Sequence, residues 1–344
     1  MRPSSSEDSS DLYFPSSQGQ WETGDPESSG WDVAVLESLA GFAREHQSQA
    51  LVILDGGRII FERYFDGFTL TSTRDVASCQ KSVTSVLFGY AVAQGLLTLD
   101  DPLSQYLGPG WSKATRADEE RITVRHLITM TTGLNQRFEL IAPPGEMWLY
   151  NTYVYQLGEA VLEVASKSSF YDYTMDALGR SIGWETAHYR GRPRFVMPDG
   201  KESQALMLSA RESASFGLLA LAHGRWASND PLTTDEYWLA SLSSSQPMNP
   251  GYGYLWWLNG KSAYRAPGPN PPLVPGALIP AAPTDTFAAM GALDNRIYVV
   301  PSRKVVAVRL GKLAGSRPHL AISEFDGAFW QILSRALPPA TPKQ

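Results

Sequence analysis

The 344-residue chain is 43% hydrophobic and 19% charged, ordinary for a folded protein and ample for a sizeable core. A net charge of −6 and a pI near 5.5 speak against the basic face that a nucleic-acid partner needs. A single cysteine excludes an internal disulfide and a cysteine-rich zinc site, and the histidines are scattered without a His-Glu-x-x-His pattern, so no metal or organic cofactor is expected.

Residues 1–30 are rich in Ser, Asp and Glu and contain Pro3, Pro15 and Pro26, which predicts a poorly ordered arm before a single domain over 31–338. They lack the basic start and apolar run of a signal peptide, and no later stretch is long and apolar enough for a membrane span. The expected location is the cytoplasm, with no membrane partner. The oligomeric state is not encoded in any motif.

From Trp31 to Gln47 apolar residues recur at helical spacing. Ala50–Leu54, a turn at Asp55-Gly56-Gly57 and Arg58–Phe65 predict a β-hairpin. A mainly helical region follows, with helices expected near 78–95, 123–130, 152–166, 169–180, 209–224 and 233–243. Strands return at Tyr252–Leu258, Thr286–Met290, Arg296–Val300 and Lys304–Leu310, before a last helix near 321–336. Strands at both ends with helices between them predict an α+β fold: one antiparallel sheet (about 31–70 and 250–338), flanked by terminal helices, with a helical subdomain inserted over about 71–249. The Pro-rich stretch 265–283 is long for a plain connection and is either a solvated excursion or a lid.

Three serine or cysteine sites compete for a nucleophile. Ser78 and Lys81 stand three residues apart, one face of a helix, and Lys81 alone among the lysines has a serine at that spacing. Val83, Val86, Leu87, Tyr90 and Ala91 supply an apolar stripe and Gly95 a stop, so Ser78 would sit at a helix N-terminus. There its own N–H and the helix dipole favour a developing oxyanion, and partial burial beside the positive end lowers the lysine toward use as a base. As bare spacing the pair is no more than a capping serine and a surface lysine. Gly179-Arg180-Ser181-Ile182-Gly183 matches the Gly-x-Ser-x-Gly elbow, but that elbow needs a strand before its serine, and Phe170–Leu178 reads as helix. Cys79 points about 100° away from Ser78 on the helix and has no histidine to serve it, so it reads as a small buried residue.

Segments in order along the chain carry further information: Leu54–Phe65, Ala77–Ser85, Gly95–Pro102, Ile122–Gly133, Pro144–Thr152, Leu208–Gly217 and Gly251–Leu258. Together they resemble the serine β-lactamase-related family, which covers class C β-lactamases, D-Ala-D-Ala peptidases, esterases and nylon-oligomer (6-aminohexanoate-dimer) hydrolases. The resemblance implies a β-lactamase/transpeptidase-like fold and an acyl-enzyme mechanism. It implies Tyr150, after the Pro144-Gly145 turn, as the partner of Ser78 and Lys81 in general acid–base work. It implies Gly291, at the end of the strand beside the nucleophile, and the N–H of Ala292 as the second oxyanion donor. Asn151 would be a substrate-amide ligand, although the family pattern places that asparagine one residue later, and Trp148, Trp256 and Trp257 would wall an apolar pocket.

The chain departs from the β-lactamase pattern in lacking Lys-Thr-Gly, whose lysine helps hold a β-lactam or stem-peptide carboxylate. Asp294-Asn295 stand where the esterase branch carries Gly-Gln. The expected function is therefore a serine hydrolase of small carboxylic esters or linear amides. The alternatives are a β-lactamase or peptidase, and a catalytically silent binding protein on the same fold.

Overall fold

The computed structural model describes residues 11–16, 20–196, 200, 202–227, 231–315 and 322–339. Most of the expected N-terminal arm that falls inside these limits is docked rather than loose. Trp21 Nε1 donates to Gly57 O at 2.8 Å, Gly24 N of the arm donates to Ile59 O at 2.9 Å, and Ile59 N donates to Glu22 O at 3.1 Å. Residues 1–10 and 17–19 lie outside the described part.

The strands, in chain order, are β1 (Ser48–Asp55), β2 (Arg58–Tyr64), β3 (Arg74–Asp75), β4 (His188–Val196), β5 (Glu202–Leu208), β6 (Trp257–Leu258), β7 (Ala263–Arg265), β8 (Leu273–Pro275), β9 (Phe287–Met290), β10 (Arg296–Val300) and β11 (Val305–Gly311). Six form one antiparallel sheet in the order β2-β1-β11-β10-β9-β6, so the first and last thirds of the chain meet at the β1–β11 pair. Helices Val33–Glu45 and Glu324–Ala336 pack on each other over one face, and helix Ala210–Leu221 lies on the other. On that second face Gly217 lets backbone approach sheet. A Cβ there would come within 2.5 Å of Val306 Cγ1. Central strands buried on both faces explain the nearly unbroken apolar runs of β1, β10 and β11.

The fold is the α+β β-lactamase/transpeptidase-like architecture that the sequence implied, with two local corrections. The stretch 71–249 is not simply helical. It contains a three-stranded sheet, β3-β5-β4, and its helix 210–221 belongs to the main sheet's layers. The β4 strand was hidden by His188, Arg190, Arg192 and Pro193, a composition suited to the edge position it holds. Tyr252–Leu258 is not a continuous strand either: the chain folds back so that Tyr252 bridges Trp257, with Leu255 in the left-handed region at φ 60°. The Pro-rich stretch contains the β7–β8 hairpin, anchored where Arg265 donates to Met248 O and Pro271 O. No helix among the described residues is long and apolar enough to cross a membrane.

Candidate active site

Helix Cys79–Ala93 runs through the middle of the molecule and is buried nearly all round, not along one stripe. Its polar side chains are accordingly partnered. Gln80 accepts from Leu206 N, Ser82 donates to Leu255 O, and Thr84 meets Tyr155 Oη at 2.7 Å. Gly95 follows the helix at φ 65°, the left-handed stop that the sequence indicated.

Ser78 occupies the N-cap position, yet its hydroxyl makes no capping hydrogen bond. The capping explanation for this serine is thereby removed. The hydroxyl instead accepts from Lys81 Nζ at 3.1 Å, and Thr152 Oγ1 accepts from the same ammonium at 3.2 Å. Lys81 is 3% exposed and has the rings of Tyr155 and Tyr150 at 4.4 and 5.0 Å from Nζ, with no carboxylate bonded to it. Burial is the main reason its pKa falls to about 7, and the Arg192 charge pushes it the same way.

Tyr150 is brought to the same place, but through its ring face rather than by a hydroxyl–amine bond. Its hydroxyl is buried without a hydrogen-bond partner. Burial drives the phenol well above its usual range, and the nearby Ser78 hydroxyl pulls the other way by less. Tyr150 is therefore a protonated phenol at neutral pH, a donor in waiting rather than a resting base. Trp148, Tyr252 and Trp257 box it in. Trp257 stacks on Tyr150 at 5.8 Å, and Tyr252 meets Trp257 edge-on at 4.8 Å. Trp148 and Trp257 are themselves buried, so they hold the tyrosine ring rather than form an open pocket wall. Trp256 faces the opposite way, stacked on Phe216 at 5.7 Å in the core beneath helix 210–221.

Asn151 is a helix cap. Its Oδ1 accepts from Tyr153 N and Val154 N while its Nδ2 donates to Leu134 O at 2.9 Å, so its amide is committed within the protein and does not face a substrate. Thr152, two residues after Tyr150, is the one that reaches Lys81. Sequence reasoning passed over it, although it stands where the family pattern has its asparagine.

Beyond β9, Gly291 lies against the backbone of Val76 and Ser78. A Cβ on it would come within 2.4 Å of Val76 O and 3.1 Å of Ser78 N, and its φ of −119° shows that glycine is required for closeness, not for conformation. Gly291 N donates to Asn295 O at 2.9 Å, so the Gly291 amide is committed within the loop. The following loop is strained, with Leu293 and Asp294 both at positive φ. It is clamped from below: Arg309 donates to Leu293 O at 2.6 Å, and Asp294 accepts from Arg296, Ser323 Oγ, Ala314 N and Gly315 N. The Asp294-Asn295 departure is thus structural, since Asn295 also bonds Ala292 O and Gly311 N.

The rival sites dissolve. Ser181 follows helical turns over Phe170–Thr174 and Met175–Gly179, with no strand before it. Cys79 is fully buried against Ala289 O and Asn295 O, and burial pushes its thiol up to about 12. Among the described residues no cluster of His, Cys, Asp or Glu could hold a metal ion. A surface cleft of about 310 Å³ between Ser104, Gln105, Arg116 and Glu120 includes none of Ser78, Lys81 and Tyr150, and its acidic wall Glu119 is already bonded to Gly110 and Ser112.

A sequence profile for the family described as Beta-lactamase matches residues 39–320, most of the chain. The chain belongs to the Beta-lactamase family. In fold it is similar to a candidate 6-aminohexanoate-dimer hydrolase from Bacillus anthracis, at 16% identity and a TM-score of 0.69 over 95% of this chain and 88% of that one. A candidate β-lactamase from Bacteroides dorei superposes at a TM-score of 0.67 with 14% identity, covering 89% and 99% of the two chains. An uncharacterized protein of Alkalihalophilus pseudofirmus is 25% identical over 264 residues, 70% of this chain and 74% of that one.

Proposed function

We propose that this member of the Beta-lactamase family is a serine hydrolase that cleaves small carboxylic esters or linear amides through an acyl-enzyme. The observation that carries the reading is the uncapped Ser78 hydroxyl 3.1 Å from a buried Lys81 whose pKa has fallen to about 7. At and above neutral pH a growing fraction of Lys81 is the free amine, which can take the Ser78 proton as Oγ attacks the carbonyl. The bond from Oγ to the carbonyl carbon forms, and the carbonyl electrons move to an oxyanion facing the N–H groups of Ser78 and Ala292. The Lys81 ammonium returns the proton to the departing alcohol or amine as its bond to the carbonyl carbon breaks, while the Tyr150 phenol, held protonated by burial, donates a hydrogen bond to the leaving atom. Water then attacks the acyl carbon as the same lysine takes its proton, the bond to Oγ breaks, and the Lys81 ammonium returns the proton to Ser78 Oγ as the acid leaves. Thr152 keeps Lys81 aimed at Ser78 by accepting a hydrogen bond from its Nζ.

The ester or amide preference rests on what β9 lacks. Phe287–Met290 runs straight into Gly291 with no lysine to receive a β-lactam carboxylate. The name of the Bacillus anthracis neighbour, a hydrolase of a linear amide, agrees with this choice. The substrate partner is a small molecule, and no cofactor is required by the scheme. The test compares p-nitrophenyl butyrate, a linear 6-aminohexanoate dimer and nitrocefin with wild type and Ser78→Ala. Turnover of the first two that vanishes in the variant supports the reading, with a loss of about 10⁴-fold or more. Nitrocefin as the best substrate would move the chain to the β-lactamase reading. Undiminished ester turnover by Ser78→Ala, or no labelling of Ser78 by a fluorophosphonate, would sink it.

A further inference from the structure

One charged pair beside the nucleophile has no part in the chemistry above. Asp75, at the end of β3, lies three residues before Ser78, and Arg192 of β4 donates to its Oδ1 at 2.7 Å. The same oxygen accepts from Ala77 N, also at 2.7 Å. Ala77 is the residue immediately before Ser78 and sits at φ 52°, a conformation that costs a non-glycine residue about 1 kcal/mol. The carboxylate therefore ties a strained backbone turn to a strand more than a hundred residues away. Asn295 Nδ2 adds a bond to Asp75 O, so the turn is also joined to the loop that carries Ala292.

We propose that the Asp75–Arg192 ion pair is a positioning device for the Ser78–Lys81 couple: it fixes the turn that presents Ser78 and sets the electrostatic field that Lys81 experiences. The inference rests on the hydrolase reading only for its rate measurements. The groups that face Lys81 are few. Its own helix brings Cys79, the turn before it brings Asp75, β4 brings Arg192, and the 150–155 segment brings Thr152, Tyr150 and Tyr155. Among the described residues, Arg192 is the cation and Asp75 the carboxylate whose charges act on Lys81. Their charges act on Lys81 in opposite senses, Arg192 disfavouring the ammonium and Asp75 favouring it. Both side chains are partly exposed, at 20% and 43%, so solvent screens them and the effect on each side is modest.

The pair is tested with Arg192→Gln, Asp75→Asn and Asp75→Ala. Each is read by the pH dependence of kcat/KM for p-nitrophenyl butyrate and by NMR of protein carrying ¹³Cε-lysine, with the Lys81 signal identified by its loss in Lys81→Met. Arg192→Gln is expected to move the titration of Lys81, and the acid limb of the rate profile, upward by roughly half a pH unit. Asp75→Asn is expected to move both downward by about as much. Asp75→Asn keeps an oxygen for Ala77 N, whereas Asp75→Ala does not, so the alanine variant should lose about a further fivefold in kcat at its optimum. Shifts in the same direction, or a Lys81 signal that moves in neither variant, would overturn the proposal even if rates fall. Absence of Ser78-dependent turnover in the wild type would overturn the hydrolase reading instead, and the NMR titration still decides for or against the pair.

Discussion

Two buried cations stand on either side of the proposed oxyanion loop, and their surroundings could hardly differ more. Arg296 is wholly buried on β10 and faces two carboxylates, with Nε donating to Asp326 at 2.6 Å and Nη2 reaching Asp294 at 3.0 Å. Burial is the largest single influence and would lower its pKa, but the charge and hydrogen bond of Asp326, with Tyr298 and Asp294, together outweigh it and the net direction is upward. Lys81 is buried as deeply, yet its partners are two hydroxyls and two tyrosine faces. Its desolvation, reinforced by the Arg192 charge, outweighs the smaller opposing pull of Cys79 and Asp75, and its pKa falls to about 7. A compensated buried charge becomes structure, and an uncompensated one becomes a titratable base.

The sharpest way to break the contrast is Lys81→Met. It should lower ester kcat/KM by about 10⁴-fold while leaving the fold intact. Its effect on stability has a defined sign. The folded pKa of Lys81 is depressed, so between about 7 and 10.5 the unfolded state binds more protons and wild-type stability rises with pH across that window. Below about pH 7 the full burial penalty applies. Thermal melts should therefore show Lys81→Met more stable than wild type near pH 6, with the gap closing as pH approaches 10. A variant less stable than wild type at both ends would show that Lys81 is compensated after all.

The opposite operation is Asp326→Asn, which strips Arg296 of its strongest partner. Removing one member of a buried ion pair costs about 3–5 kcal/mol, readable as a large drop in the urea midpoint at constant slope. Because Arg296 also donates to Gly291 O at 2.7 Å, residual activity should fall more than the folded fraction does. Equal stability to wild type would remove Arg296 from the role of clamp. The smallest effect is expected at Thr152→Val, which removes one acceptor from the Lys81 ammonium and keeps the side-chain shape. It should lower the Lys81 pKa slightly, moving the acid limb of kcat/KM down, with a rate change within about tenfold. An upward movement would contradict the assignment of Thr152 as an acceptor.

The sequence was most legible where local rules and tertiary needs agreed. Helix 79–93 announced itself through its apolar spacing and Gly95, and β1, β2, β10 and β11 through runs of Val, Ile and Leu between turn residues. It was least legible at β3, β4 and β5. A two-residue strand has no periodicity, and β4 alternates arginines around Gly191 and Pro193 because it is an edge. The site residues that sequence reasoning missed follow from this. Arg192 could not be placed near Ser78 without the β4–β5 hairpin, and Thr152 was overshadowed by Asn151, a polar residue whose cap role shows only in its bonds.

The amino-acid sequence by itself determined the ordered family segments, the Ser78–Lys81 spacing on one helical face and the glycine where backbone must approach backbone. These are local or patterned facts, carried by residue type and interval. Only the tertiary structure decided what Lys81 is. Its free energy depends on which groups surround it once water is gone, and those come from 75, 150, 152, 155 and 192, none of which a helical spacing can name. The same holds for Tyr150: its residue type allows a base or an acid, and burial among Trp148, Tyr252 and Trp257 keeps its phenol protonated.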